Sequence, residues 1–141
     1  QQTVGSLGIH CVLTPHPKEA SVLLGKTVSE VEGDRLKAVR ELSESFGCVV
    51  VLKGAYTLIT APNEAIYLCP YGNPGMASAG MGDVLAGVIG GLMAQGLSTW
   101  DAARAGVIWH ARAGDTARAS KGEYAMIATD VIENLATVIS C

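Results

Sequence analysis

Apolar residues follow two rhythms along this chain, and the alternation between them outlines the fold. Ile9 to Leu13 is a short apolar run ending in Thr14-Pro15-His16-Pro17, which predicts a buried strand running into a loop. Pro17 suits the first turn of a helix, and Glu19 follows where the helix dipole favours an acid. That helix continues through Ala20, Val22, Leu23 and Leu24 and stops at Gly25. From Ser29 to Phe46 the period is helical. Val31, Leu36, Val39, Leu42 and Phe46 share one face, while Glu30, Glu32, Asp34, Lys37, Arg40, Glu41 and Glu44 take the other, and Gly47 closes the helix.

The rhythm then changes. Cys48-Val49-Val50-Val51-Leu52-Lys53 is continuously apolar and β-branched up to its lysine, as expected of a sheet strand covered on both faces. Thr57 to Thr60 and Ala65 to Cys69 read as a hairpin around Ala61-Pro62-Asn63-Glu64. After a glycine-rich loop, Asp83 to Gln95, Thr99 to Ala119 and Ala128 to Ser140 read as three helices, with Thr99 as the expected cap of the second. Strand, helix, helix, strand is the signature of parallel α/β units with helical crossovers. Doubly wound sheets usually have about five or six strands. This pattern supplies fewer before its glycine loop, so residues 1–141 are expected to be the second half of a larger α/β domain.

Composition narrows the function classes. The chain of 141 residues is 49% hydrophobic and 16% charged, with a formal net charge of −3, which describes a folded core and not a disordered segment. No Lys/Arg cluster appears, which argues against a nucleic-acid surface. The apolar stretch from Val84 to Met93 is too short and too glycine-rich to span a bilayer. No charged-then-apolar leader opens the sequence, and the expectation is a soluble, cytoplasmic protein. Cys11, Cys48, Cys69 and Cys141 lack the clustered spacing of a zinc site and read as small buried hydrophobes.

The residues that could carry chemistry sit in four places. Gly72-Asn73-Pro74-Gly75-Met76-Ala77-Ser78-Ala79-Gly80-Met81-Gly82-Asp83 packs four glycines and one acid against the start of an apolar helix. A helix start offers unpaired N–H groups and partial positive charge, which suits an anion. Asp83 sits awkwardly there, because a bound anion repels it. It is either a helix-start acid favoured by the dipole or a general base that takes a proton from a hydroxyl attacking phosphate. The second place is Lys53-Gly54-Ala55-Tyr56-Thr57, at the carboxyl end of the strongest strand, where ligands of open α/β sheets bind. Lys53 and Thr57 offer donors to phosphate, although Lys-Gly is also a common turn. The third is Thr14-Pro15-His16-Pro17-Lys18-Glu19, which also leaves a strand end and could serve substrate and hydrated magnesium or be a bare loop. The fourth is His110, beside Trp109, expected to be a packed core histidine.

Taken in order, Thr14-Pro15-His16-Pro17-Lys18-Glu19, Lys53-Gly54…Thr57 and Gly72-Asn73-Pro74-Gly75-Met76-Ala77…Gly80-Met81-Gly82-Asp83-Val84-Leu85 closely resemble the ADP/ATP-dependent NAD(P)H-hydrate dehydratases of the ribokinase-like superfamily. The segment Ala102 to Asp115, with His110 and Gly114-Asp115, and the closing Ala128-Thr129-Asp130 look like that family's last helices. The likeness runs over residues 10–141. It implies a ribokinase-like doubly wound sheet with helices on both faces, of which this chain is the C-terminal part. It implies repair of hydrated NADH and NADPH: ADP or ATP phosphorylates the ring hydroxyl, and phosphate then leaves. By that likeness Asp83 is the base, and Gly80 and Gly82 lie in the backbone that stabilises the transferring phosphoryl. Lys53, Gly54, Ala55, Tyr56, Thr57 and Gly82 line the nucleotide site. His16 and Asp83 face the hydrated dinucleotide, and Glu19 holds Mg2+ through water.

Small-molecule kinases of the superfamily tend to carry Asn where His16 stands, which favours the dehydratase. Met81 departs from the Ser or Thr that many members place there, a mild change if only backbone N–H groups matter. Two alternatives stay open: a ribokinase-like kinase of a small alcohol, and a nucleotide-binding fragment without catalysis. As a fragment the chain is expected to be inactive or nearly so alone. It would need the N-terminal half as partner and self-associate through an exposed strand edge.

Overall fold

The computed structural model describes residues 8 and 10–139. Ile9, Ser140 and Cys141, on which parts of the first strand, the last helix and the cysteine reading fall, lie outside the described residues.

Four strands form one sheet in the order β1-β2-β3-β4: β1 (Val12–Leu13), β2 (Val49–Leu52), β3 (Leu58–Thr60) and β4 (Tyr67–Leu68). β1 and β2 are parallel, with Val12 opposite Val49. β3 runs antiparallel to β2, and β4 antiparallel to β3. β4 therefore points the same way as β1 and β2, so the chain leaves all three at one edge of the sheet. That edge is where the conspicuous loops lie.

Strand β2 is buried throughout, and its alternation sorts the helices. Val50 and Leu52 face a layer made by α1 (Pro17–Leu24), α2 (Val28–Gly33) and α3 (Arg35–Phe46), packing with Ala20, Val31, Val39, Leu42 and Phe46. Val49 and Val51 face the opposite layer, where α4 (Met81–Ala94) and α5 (Thr99–Lys121) supply Leu85, Ile89, Ala103, Val107 and Ala111. Helices on both faces of a mixed sheet make a three-layer α/β fold. α6 (Ala128–Ile139) adds a third apolar cluster against α4 and α5, with Met81, Ala113, Ala117, Met126 and Val131 buried together. Small residues along α5 allow that closeness: a Cβ on Gly106 would sit 2.7 Å from the Ile89 side chain.

Three sequence expectations need correction. The helix expected over Ser29 to Phe46 is two helices, because Asp34 leaves the helical region (φ −147°, ψ 78°) and its carboxylate accepts from the Lys37 N–H at 2.9 Å. A side chain that caps a new helix competes with continuing the old one. The cap of α5 is Ser98, whose hydroxyl accepts from the Asp101 N–H at 3.1 Å, and Thr99 is the first helical residue. α4 begins at Met81, two residues before Asp83, because Gly80 takes the left-handed conformation (φ 84°) that starts the helix. The glycine closures at Gly25 and Gly47 are as expected.

Leu42 is fully buried between α3 and β2. Its replacement by alanine should lower unfolding free energy by about 2–5 kcal/mol, read by urea denaturation. A loss under about 1 kcal/mol would mean that this layer is not packed as described.

Candidate active site

His16 caps α1 in an uncommon way. Its Nδ1 accepts the Glu19 N–H at 3.1 Å, while Glu19 Oε2 accepts the His16 N–H at 2.7 Å. This reciprocal pair is a capping box built with an imidazole. Because Nδ1 is an acceptor, the neutral ring carries its proton on Nε2, which lies 3.4 Å from Glu19 Oε1. Glu19 also reaches Lys53: the ammonium lies 3.7 Å from Oε2. The backbone fastens the same two loops, since the Lys53 N–H donates to the Pro15 carbonyl at 2.9 Å.

Lys53 meets the third loop as well. Its ammonium would sit 3.1 Å from a Cβ placed on Gly82, so Gly82 leaves room for the lysine against the first turn of α4. Gly80 supplies no side-chain cap there. The Val84 N–H is satisfied by the Gly80 carbonyl at 3.0 Å, and the Met81 N–H only by a long contact of 3.5 Å to Ser78. The Gly82 and Asp83 N–H groups remain open, as the geometry of a helix start requires. Asp83 is exposed, and among the described residues no hydrogen bond or ion pair engages its carboxylate. His16, Glu19, Lys53 and Gly82 thus converge on one spot, with Asp83 one residue along.

The rest of the predicted loop has partners within the protein. Gly54 is glycine because Arg35 fills the space beside it: a Cβ would lie 2.8 Å from Arg35 Nη2. The Arg35 guanidinium donates to the carbonyls of Ala55, Leu52 and Lys53. Thr57 turns its hydroxyl to the Gly54 carbonyl at 3.2 Å, and Tyr56 stands exposed with φ 56°. Sequence reasoning missed Arg35, which no local pattern marks as a loop clamp twenty residues away.

Among the described residues no group of three or more His, Cys, Asp or Glu side chains could hold a metal. Cys11, Cys48 and Cys69 are free thiols. Burial pushes the Cys48 thiol up to about 11, with the neighbouring Cys11 adding to it, so it is an inert packing group. No helix is long and apolar enough to cross a membrane among the described residues.

His110 is the core histidine the sequence suggested, buried on α5 with Nε2 unpartnered. It touches the site from beneath through a hydrogen bond with the Met81 backbone. Burial lowers its pKa to about 4, against a smaller upward push from that bond.

A sheet covered by helices on both faces, with loops at one strand end and an open glycine-flanked helix start, matches a solved ribokinase-like superfamily protein, which sets the class of the fold. A family model described as Carb_kinase, NAD(P)H-hydrate dehydratase, matches residues 2–137, and the chain belongs to that family. The bifunctional NAD(P)H-hydrate repair enzyme Nnr of Coxiella burnetii is 50% identical over 129 residues, 92% of this chain and 26% of that protein. The ADP-dependent (S)-NAD(P)H-hydrate dehydratase of Neisseria meningitidis serogroup B is 50% identical over 111 residues, 79% of this chain and 38% of that protein. Among solved structures, the ADP/ATP-dependent NAD(P)H-hydrate dehydratase of Bacillus subtilis, co-crystallised with ATP/Mg2+, superposes with a TM-score of 0.87 at 29% identity. That match covers 92% of this chain and 47% of the Bacillus chain. The chain therefore spans less than half the length of these relatives.

The depressed His110 pKa has a signed consequence. Protonation favours the unfolded chain, whose imidazole titrates near 6.5, so the stabilisation is complete above that value and is lost as pH falls towards about 4. Between pH 7.5 and pH 5 the wild type should lose about 2 kcal/mol more than His110→Gln, read from urea midpoints at each pH. Equal losses in the two proteins would contradict the buried neutral imidazole.

Proposed function

We propose that residues 1–141 are the C-terminal part of one ribokinase-like domain that dehydrates hydrated NADH and NADPH at the expense of a nucleotide, with ADP as the phosphoryl donor. The observation that carries this reading is the pairing of opposites at α4. An unengaged carboxylate, Asp83, lies next to a helix start that also meets a lysine, and family membership says what the two poles would act on. In this reading Asp83 takes the proton of the ring hydroxyl as its oxygen bonds to the terminal phosphorus and the bond to the departing AMP breaks. Loss of phosphate and of a ring proton then restores the reduced ring. N–H groups from Ala79 to Gly82 hold the charge that builds on the phosphoryl oxygens. Lys53 stands against that turn as a counter-charge, and Gly54 to Thr57 form the nucleotide edge of the site. His16, paired through Nε2 with the Glu19 carboxylate at the same edge, would face the hydrated dinucleotide.

The residues present fit magnesium only as a hydrated ion. No multi-carboxylate cage exists among the described residues, so Glu19 would hold it through water while nucleotide phosphates supply the remaining ligands. When bound, the ion would neutralise phosphate charge.

Two surface features support the half-domain reading. β1 pairs only with β2 among the described strands, leaving one edge free. The outward side of α4 carries Ala86, Gly87, Gly90, Gly91 and Ala94 without a charge, with nothing near Gly87, Gly90 and Gly91. A helix apolar all round belongs inside a larger body. The N-terminal half of the domain would cover this face, and in isolation the free edge would favour self-association. The reading is of a cytoplasmic repair enzyme with no nucleic-acid or membrane partner.

In the complete domain, Asp83→Asn should lower kcat for nucleotide-dependent recovery of reduced-nicotinamide absorbance by about 10²–10⁴-fold with little change in nucleotide KM. Normal turnover by that variant would remove Asp83 from the base role. Calorimetric titration of this chain with ADP, ATP and AMP in magnesium, before and after adding the N-terminal half, tests the division of the site. Activity of the complete domain on hydroxymethylpyrimidine or sugars, without any on hydrated NADH, would favour a small-molecule kinase.

A further inference from the structure

Bonds inside the Gly72–Gly80 loop are confined to its Asn73–Ala77 turn, yet the N–H groups at the start of α4 are placed by the whole loop. The loop is fastened from outside. Asp115, half-buried on α5, uses both carboxylate oxygens on it: Oδ2 accepts the Gly72 N–H at 3.0 Å and Oδ1 accepts from Asn73 Nδ2 at 2.9 Å. The Asn73 amide passes the connection on, since its Oδ1 accepts the Gly75 N–H at 3.1 Å. Among the described residues no cation pairs with Asp115, and both its hydrogen bonds go to the loop. Charge-assisted bonds of this kind are stronger than neutral ones.

Apolar contacts complete the clamp. The Met76 sulfur packs where a Gly114 Cβ would stand, 2.3 Å away, beside Asp115 on the same helix. A Cβ on Gly75 would lie 2.5 Å from the Glu123 carbonyl and 2.6 Å from the Met126 sulfur, so the loop is also pressed against the α5–α6 connection. A single 3-10 turn, Pro74–Ala77, then leads to Ser78 and the helix start. Displacement at Asn73 would be carried along this short, rigid path to Gly80 and Gly82.

We propose that Asp115 is a positioning residue: through Gly72, Asn73 and Gly75 it sets where the open N–H groups of α4 point. The proposal rests on the phosphoryl-transfer reading above. Asp115 touches no reacting atom; it acts through the loop.

The test uses the complete domain with hydrated NADH and ADP. In Asp115→Asn, an NH2 group faces the Asn73 NH2 and one link of the relay is lost. Misplaced donors should lower kcat by about 10–100-fold, while nucleotide KM stays within about threefold. The reciprocal double variant, Asn73→Asp with Asp115→Asn, can remake all three bonds. The amide at 115 accepts from Gly72 and donates to the carboxylate at 73, which still accepts from Gly75. It should recover most of the lost kcat, which a general loss of stability would not do. A single variant with wild-type kcat overturns the proposal, as does a double variant no better than the single one. Amide hydrogen exchange at Gly72 and Gly75 reads the clamp without substrate. It should quicken at least about tenfold in Asp115→Asn and slow again in the double variant; unchanged rates overturn the clamp. Wild-type protein inactive on hydrated NADH would instead sink the phosphoryl-transfer reading, leaving the exchange result to decide on Asp115.

Discussion

Strand β2 joins the two helical layers, because its four residues point alternately into them. Val50 and Leu52 belong to the core that holds α1, α2 and α3, and Val49 and Val51 to the one that holds α4 and α5. The strand must therefore be apolar at every position, and the first residue free of that demand is Lys53, where the chain emerges at the sheet edge. The site begins where the burial constraint ends. Parallel pairing with β1 brings His16 and Glu19 to the same edge, and the two antiparallel steps through β3 and β4 return the chain there for the glycine loop.

Two positive poles meet at that edge. The Lys53 ammonium stands against the first turn of α4, itself the positive end of a 14-residue helix. Like poles brought together raise the energy of the empty site, and Glu19, 3.7 Å from the ammonium, offsets part of it. In the proposed function a phosphate between them would relieve the rest. Asp83 stays outside this balance, exposed and unengaged.

Much of this was legible from residue order. The alternation of apolar runs identified β2, the hairpin and the helices of both layers, and the three loops announced themselves through Pro, Gly and Lys at strand ends. What escaped was non-local. Asp34 belongs to the polar face of a long helix as well as it does to a cap, and only the turn of the backbone there separates α2 from α3. Gly54 also makes room for Arg35, whose partner carbonyls lie far along the chain. Asp115 itself was singled out only through a family likeness. A carboxylate that tethers a distant loop has the same local sequence as one that faces water.

The separation of that tether carries a kinetic meaning. Gly72 and Asp115 are 43 positions apart, while β2 and β3 are joined by a short turn and the α1–α3 layer is contiguous with β2. Closing a segment of that length costs roughly 3 kcal/mol of chain entropy before its contacts offset it. The sheet and its first helical layer can assemble from neighbouring segments, whereas the glycine loop waits for α5 to dock. Order in the glycine loop therefore depends on the docking of α5. A chain that has lost only the docking of α5 would keep a nearly complete sheet and an unfastened glycine loop.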